Sequence, residues 1–322
     1  MNILITGCAG FIGFHLSNRL LEFPNVLITG IDNINNYYRP SLKIKRLNIL
    51  KKKKNFCFYK YDINDKNKIS LVIKNKKINY VIHLAAQAGV RFSIKDPETY
   101  FENNIKGFFN ILNLCKKYKV KHLIFASTSS VYGANNDFPL KETSNTDKPL
   151  SFYAASKKSN EVMAYSFSNM YNLPTTALRF FTIYGPYGRP DMSLFKFTDA
   201  ILNKSNLNLY NNGKHYRDFT YIDDAVDAII SIIRKPSNKK IPFNCFNIGN
   251  GKTKTLKYFL NLIEKSLGMK TNINKLPLQK GDVIKTHADI SLINKYSFYE
   301  PKIELKQGIL NFLEWYKSYF KK

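Results

Sequence analysis

A doubly wound α/β fold, a parallel sheet with helices on both faces, is predicted for this chain of 322 residues by three observations. Short apolar runs of strand length alternate with helix-length stretches through the first half. A glycine-rich turn follows the first run directly. The second half is irregular and crowded with turn residues, which predicts a smaller C-terminal lobe interleaved with the sheet domain.

Strands are expected at 2–6, 26–31, 56–61, 80–84 and 122–126, with helices at 11–23, 41–50, 66–73 and 99–118 between them. That alternation calls for parallel strands joined by right-handed crossovers. After Ala126 a Ser/Thr/Asn-rich loop runs to Pro149, and a helix begins near Tyr153. Pro174 precedes another buried strand at 175–181. Gly185-Pro186, Gly188, Pro190 and Asn211-Asn212-Gly213 then punctuate the chain. Later strands are expected at 219–222 and 243–248, a helix at 223–233, and tail helices at 256–267 and 305–320. No low-complexity linker and no internal repeat interrupts this order.

Lys and Arg number 50 against 23 Asp and Glu, a formal charge of +27. The basic residues are dispersed, and Lys, Asn and Ile share A/T-rich codons, so no nucleic-acid partner is predicted. The field can still draw in an anionic small molecule. No apolar run approaches the ~20 residues of a membrane span, and the first residues lack the charged start of a signal peptide. Cys8, Cys57, Cys115 and Cys245 are far apart, with no CxxC pair or His cluster. Neither a metal site nor a disulfide framework is expected, and a reducing cytoplasm is the simplest compartment.

Gly7-Cys8-Ala9-Gly10-Phe11-Ile12-Gly13 joins the first strand to the first helix. Glycines there permit a tight turn and let Gly7, Gly10, Phe11, Ile12 and Gly13 bring backbone close to a pyrophosphate. The fold class is therefore Rossmann-type. Asp32 ends the second strand, 19 residues after Gly13, where a carboxylate binds an adenosine ribose diol and repels a 2′-phosphate. NAD is thus the expected cofactor. Asp62 and Ile63, after the third strand, are candidates to flank the adenine.

Tyr153 and Lys157 lie four apart, on one face of a helix. A free tyrosine titrates near pH 10 and is a poor base at neutrality; an ammonium and an oxidised nicotinamide beside it favour the phenolate. Such a pair arises readily by chance among 21 tyrosines. Its specificity comes from Thr128, Ser129 and Ser130, which supply hydroxyls at the carboxyl end of the fifth strand, where open α/β sheets bind ligands.

The glycine triplet, Asp32, His83-Leu84-Ala85-Ala86, Ser130-Val131-Tyr132-Gly133 and the Tyr153/Lys157 spacing together resemble an extended short-chain dehydrogenase/reductase acting on nucleotide sugars, over nearly the whole chain. The narrower resemblance is to bacterial UDP-glucuronate 4-epimerases. It rests on 83–91 (HLAAQAGVR), 179–192 (RFFTIYGPYGRPDM), 194–198 (LFKFT) and 217–224 (RDFTYIDD).

The resemblance implies a redox-neutral cycle. Tyr153 takes the sugar O4 proton as the C4 hydride passes to NAD, the 4-keto sugar turns over, and the hydride returns to its other face. Lys157 positions the ribose and tunes Tyr153; Thr128, Ser129 and Ser130 bond the reacting oxygen; Ala85 lines the cofactor. Thr182 and Arg189 are implied at the uronate carboxylate, Arg217 at the diphosphate, Asp282 at the uridine ribose, and Tyr210 as a stacking partner of the uracil. Residues 1–183, with returning segments about 215–250, are implied to bind NAD; 184–214 and 251–322 are implied to bind the nucleotide sugar. Relatives pair as homodimers through helices here at 99–118 and 153–171.

A 4-epimerase of neutral UDP-hexoses or UDP-N-acetylhexosamines is the near alternative, with Thr182 and Arg189 discriminating. A 4,6-dehydratase needs an Asp-Glu pair after the catalytic Thr, where this chain has Ser129-Ser130. A non-catalytic NAD-binding regulator is disfavoured by an intact Tyr153 and Lys157. Two departures stand out: Lys280 replaces a frequent proline, implying a looser loop before Gly281-Asp282, and Cys8 replaces alanine and is a candidate oxidation site.

Overall fold

The computed structural model describes residues 1–279 and 281–321, so Lys280 and its loop effect lie outside the described residues. Strands β1 (Asn2–Thr6), β2 (Leu27–Ile31), β3 (Phe56–Tyr59), β4 (Tyr80–His83), β5 (His122–Thr128) and β6 (Thr175–Phe180) are followed by β7 (Thr182–Tyr184), β8 (Leu207–Tyr210), β9 (Tyr216–Tyr221), β10 (Phe243–Ile248), β11 (Thr253–Thr255) and β12 (Ile273–Leu276). Helices are α1 (Phe11–Leu20), α2 (Pro40–Lys51), α3 (Lys66–Asn75), α4 (Phe92–Lys95), α5 (Pro97–Tyr100), α6 (Gly107–Lys117), α7 (Phe152–Tyr171), α8 (Ser193–Leu202), α9 (Ile222–Ile232), α10 (Leu256–Leu267), α11 (Ser291–Ser297) and α12 (Leu305–Phe320).

Seven parallel strands form the main sheet in the order β10-β6-β5-β4-β1-β2-β3. The unbroken apolar runs are explained by burial on both faces. Ile3, Ile5, Ile28, Ile82, Ile124 and Leu178 feed one core, which α1 and α9 cover. Leu4, Ile31, Val81, Leu123, Phe125 and Ala177 feed the opposite core, under α3, α6 and α7. Strand order reverses between β1 and β4, so a crevice opens at their carboxyl ends.

The chain leaves this sheet at Phe181. What reads as one strand over 175–181 continues as β7, in a second sheet ordered β11-β9-β7. A third, two-stranded sheet pairs β8 with β12. Of these, β9 overlaps the strand expected at 219–222, whereas β7, β8, β11 and β12 carry no periodic signal and are absent from the sequence expectation. Around them, α8, α10 and α12 pack on a stack of Phe219 and Phe259, with ring centroids 4.2 Å apart and planes 5° apart. Tyr184 meets Phe259 edge-on.

The helix expected at 99–118 is not continuous. A π turn, Phe101–Lys106, separates α5 from α6 and rotates Asn104 into the interior. Such turns widen a helix locally and often mark functional sites. Among the described residues, no helix is long and apolar enough to cross a membrane.

Phe259 is wholly buried at the centre of the lobe. Phe259→Ala is expected to cost ~3–5 kcal/mol, transfer plus cavity. Urea titration measures this, and a loss below about 1 kcal/mol would show that the ring stack does not hold the lobe.

Candidate active site

The β1–α1 turn is shaped by backbone contact. Gly7 has φ +73°, and a Cβ there would lie 2.7 Å from the Ala85 amide nitrogen. A Cβ on Gly13 would run into the Gly7 carbonyl oxygen, so helix and turn approach as closely as hydrogen atoms allow. Helix α1 starts after Gly10 with no side-chain cap and no acidic residue in its first turn. Its first amides therefore face the crevice unsatisfied by side chains, with the positive end of the helix dipole behind them. That cradle fits a dinucleotide pyrophosphate.

Asp32 ends β2 and is nearly buried. Its Oδ2 accepts from the Ala9 amide at 3.1 Å and its Oδ1 from the Ile34 amide at 2.8 Å. Burial pushes its pKa up, against the pull of those amides and of Lys43 and Arg46. Lys43 donates to the Asn35 carbonyl at 2.9 Å and holds this corner. Asp62 lies between two cavity-lining residues, Tyr61 and Ile63, and its carboxylate accepts from Asn33 Nδ2 at 2.8 Å and from the Asn64 amide at 2.9 Å. Cys8 is a correction. It is fully buried against Gly30, and burial, with Asp32 next, raises its thiol well above the ordinary range, which removes the thiolate that oxidation needs.

Helix α7 carries Tyr153 and Lys157 against the end of β5. Ser151 caps it, accepting from the Ala154 amide at 3.2 Å. Lys157 Nζ donates to the Ala126 carbonyl at 3.0 Å, and burial lowers its pKa to about 8. Tyr153 is raised by burial, opposed by a hydrogen bond with Thr128 and by the charge of Arg189. Arg189 thus pulls on the phenol in the ligand-free protein, while Lys157 lies one turn along the same helix. Thr128 Oγ1 also caps the short turn Ser129–Tyr132, accepting from the Ser130 amide at 3.2 Å. His83 is a neutral core residue: Nδ1 lies 2.8 Å from Thr6 Oγ1, and burial, then the Lys157 charge, lower its pKa to about 3.

Below this wall Glu161 binds Arg179 through both carboxylate oxygens, at 2.9 and 2.8 Å, and accepts from Ser127 Oγ at 2.5 Å. On the other side, Asn104 accepts from the Gln87 amide at 2.8 Å and donates to Ser156 Oγ at 3.0 Å. Ser156 in turn donates to the Tyr153 carbonyl at 2.8 Å. Asn104, Gln87, Glu161 and Arg179 are structural supports that spacing does not single out.

At the far end, Arg91 Nη2 donates to Asp282 Oδ2 at 3.0 Å and its guanidinium lies 4.6 Å over the Tyr210 ring. The face implied for a uracil is thus covered by Arg91 in this structure. Arg217 donates to the carbonyls of Tyr216 and Ile284 at 2.9 and 3.2 Å. Its pKa is lowered to about 10 by burial. Arg189 pairs with Asp191.

One cavity of about 970 Å³ runs from Gly7 and Asp32 past Tyr153 to Arg217 and Asp282. It is lined by every predicted site residue except Asp62: Gly7, Gly10, Phe11, Ile12, Gly13, Asp32, Ile63, Ala85, Thr128, Ser129, Ser130, Tyr153, Lys157, Thr182, Arg189, Tyr210, Arg217 and Asp282. Arg91, the last residue of the 83–91 motif, also lines it and was not singled out by the sequence reading.

Fold and site define a dinucleotide-dependent enzyme of the Rossmann class with a tyrosine–lysine pair. The chain belongs to the NAD dependent epimerase/dehydratase family, which matches residues 3–249. It is 46% identical to Protein CapI of Staphylococcus aureus over all of both chains. It is 40% identical to a probable UDP-glucuronate 4-epimerase of Rhizobium meliloti, covering 100% of this chain and 98% of that one. The crystal structure of a UDP-glucuronic acid 4-epimerase from Bacillus cereus, in complex with UDP-glucuronic acid and NAD, superimposes with a TM-score of 0.93 at 33% identity, over 99% of this chain and 100% of that one.

Lys157 makes the site costly to fold. A lysine ordinarily near 10.5 and lowered to about 8 binds fewer protons folded than unfolded between those values. Stability therefore rises with pH from about 8 to 10.5, and the penalty is fully present below 8. Lys157→Met is expected to stabilise the cofactor-free protein at pH 7, by on the order of 2 kcal/mol, while abolishing turnover. The gain should shrink as pH rises from about 8 to 10.5; thermal melts that show a pH-independent difference would exclude this origin.

Proposed function

We propose that this protein is an NAD-dependent 4-epimerase interconverting UDP-glucuronate and UDP-galacturonate through a transient 4-keto sugar. The observation that carries the reading is the meeting, in one cavity, of Tyr153 and the Arg189 guanidinium, close enough that each shifts the other electrostatically. A sugar with O4 at Tyr153 has its C6 end within reach of Arg189 and Thr182, and a carboxylate there finds a charge-assisted partner. NAD, when bound, supplies the acceptor and donor of the C4 hydride.

The chain's own residues do the rest. Tyr153 takes the O4 proton in one half of the cycle and returns it in the other. Thr128, Ser129 and Ser130 hold O4 in both oxidation states. Lys157 holds the nicotinamide ribose, and Gly7, Gly10, Phe11, Ile12 and Gly13 the pyrophosphate, with Asp32 on the adenosine ribose, Asp62 and Ile63 flanking the adenine and Ala85 lining the cofactor. Arg217 grips the diphosphate, Asp282 the uridine ribose and Tyr210 the uracil. In this reading residues 1–183, with 215–250, bind NAD, and 184–214 with 251–322 bind the nucleotide sugar. The four free cysteines suit a cytoplasmic enzyme.

Tyr153→Phe removes only the proton-carrying oxygen. Turnover is expected to fall by ~10²–10⁴, with UDP-glucuronate binding retained and NAD released on denaturation of either protein. Near wild-type turnover would remove Tyr153 from the mechanism. A wild-type enzyme that epimerises UDP-glucose at least as well as UDP-glucuronate would sink the uronate assignment.

The same reading includes a homodimer. Phe109 on α6 and Val162, Tyr165, Met170 and Tyr171 on α7 are exposed, each between 46% and 58%, on adjacent helices. That apolar strip suits an isologous four-helix contact with a second copy. Val162→Asp is expected to yield monomers in sedimentation velocity; a wild-type protein that already sediments as a monomer refutes the dimer.

A further inference from the structure

We propose that Asp191 is a resident carboxylate of the uronate subsite: it occupies the Arg189 fork in the ligand-free protein and is exchanged for the carboxylate of the incoming sugar. The inference rests on the uronate reading above and adds how the site selects that class. Arg189 Nε donates to Asp191 Oδ1 at 3.0 Å, and Nη2 donates to Oδ2, so the fork is engaged bidentately. This is the geometry a substrate carboxylate would need. Tyr37 reaches Asp191 Oδ2 at 3.4 Å from the opposite wall. All three side chains line the one cavity.

A guanidinium left unpaired in this partly buried place carries a desolvation penalty. Asp191 removes that penalty while the site is empty. Burial would raise the Asp191 pKa, but the charge and hydrogen bonds of Arg189 outweigh it, so the carboxylate stays ionised. The residue also has somewhere to go. It lies two residues before α8, which starts at Ser193 with no side-chain cap and no acidic residue in its first turn. Lys196, on the same helix, lines the cavity and attracts the Asp191 carboxylate. Released from Arg189, Asp191 can turn to that helix end and that ammonium.

The exchange keeps one carboxylate on Arg189 before and after binding, so the charge felt by the Tyr153 oxygen changes little. It also explains selection. A neutral C6 hydroxymethyl group cannot replace an ion in a bidentate pair, whereas a uronate carboxylate can. Specificity then comes from a swap of like for like, and affinity is tempered by the carboxylate that must leave.

The test compares NAD-loaded Tyr153→Phe protein, expected to bind with turnover too slow to disturb the titration, with the double variants adding Asp191→Asn, Asp191→Ser or Arg189→Ala. Affinities for UDP-glucuronate, UDP-glucose and UDP are read by calorimetry. With the competitor gone, Asp191→Asn should tighten UDP-glucuronate roughly three- to tenfold and leave UDP-glucose and UDP within about twofold. Asp191→Ser should change in the same direction. Arg189→Ala should weaken UDP-glucuronate roughly ten- to a hundredfold. Unchanged or weaker UDP-glucuronate binding in both Asp191 variants, with Arg189→Ala behaving as expected, overturns the exchange and leaves the uronate reading standing. If Arg189→Ala spares UDP-glucuronate, both fall.

Discussion

The buried pair of Glu161 and Arg179 is the interaction on which the catalytic wall depends. Arg179 rises from β6 and Glu161 from α7, and both side chains are about 5% exposed. The second guanidinium edge donates to Tyr132 Oη at 3.1 Å and to the Glu142 carbonyl at 3.0 Å, and Tyr132 donates to Asn247 on β10 at 2.6 Å. Three strands and the catalytic helix are thus referred to one charged node. Replacing such a node by apolar residues is often tolerated energetically, whereas removing one partner leaves an uncompensated buried charge. Its value here is positional. Glu161 lies one helical turn beyond Lys157 and also takes the Ser127 hydroxyl, so it holds in register the two elements that bear Tyr153 and Thr128.

A second tie runs between the cofactor cradle and the loop that bears Arg189. Arg46 on α2 is wholly buried and donates to the Ala9 carbonyl at 2.9 Å within the glycine turn and to the Tyr187 carbonyl at 2.6 Å. His15 on α1 meets the Pro186 carbonyl at 2.9 Å, and burial keeps it neutral, with its pKa lowered to about 4. Phe14 packs on Tyr187. The turn at Gly185-Pro186 is therefore anchored to the cradle at several points. The distance between the cofactor cradle and the loop that bears Arg189 is set by rigid elements and not by a free loop, as catalysis by orientation requires.

What can be read from residues alone follows from whether the cause is local. The buried strands are unbroken apolar runs, the glycine turn is dictated by the backbone of seven consecutive residues, and Tyr153 and Lys157 share a helix face by spacing. Causes that act across the chain leave no such trace. Nothing near 101–106 foretells the π turn, because Asn104 answers to Gln87 and Ser156, residues 17 and 52 positions away. Asp62 looks free at a strand end until Asn33 is seen across from it. Cys8 looks exposed in a functional turn, yet the absence of a side chain at Gly30 makes the space that buries it. The Arg91–Asp282 and Arg189–Asp191 pairs belong to this class as well, one spanning 191 positions and the other hidden by a proline between its members.

Those pairs bear on the chain's charge of +27. An excess of that size attracts anions over distances near the Debye length but does not distinguish one anion from another. Inside the cavity the balance is different. Arg91 is matched by Asp282 and Arg189 by Asp191, while Arg217 leans on backbone carbonyls and has its pKa lowered by burial. Asp282 also attracts Arg217 but does not offset its burial, so Arg217 is the least compensated of these three arginines. The dispersed surface lysines thus attract anions broadly, and the cavity, with two of its three lining arginines already paired, admits them on stricter terms.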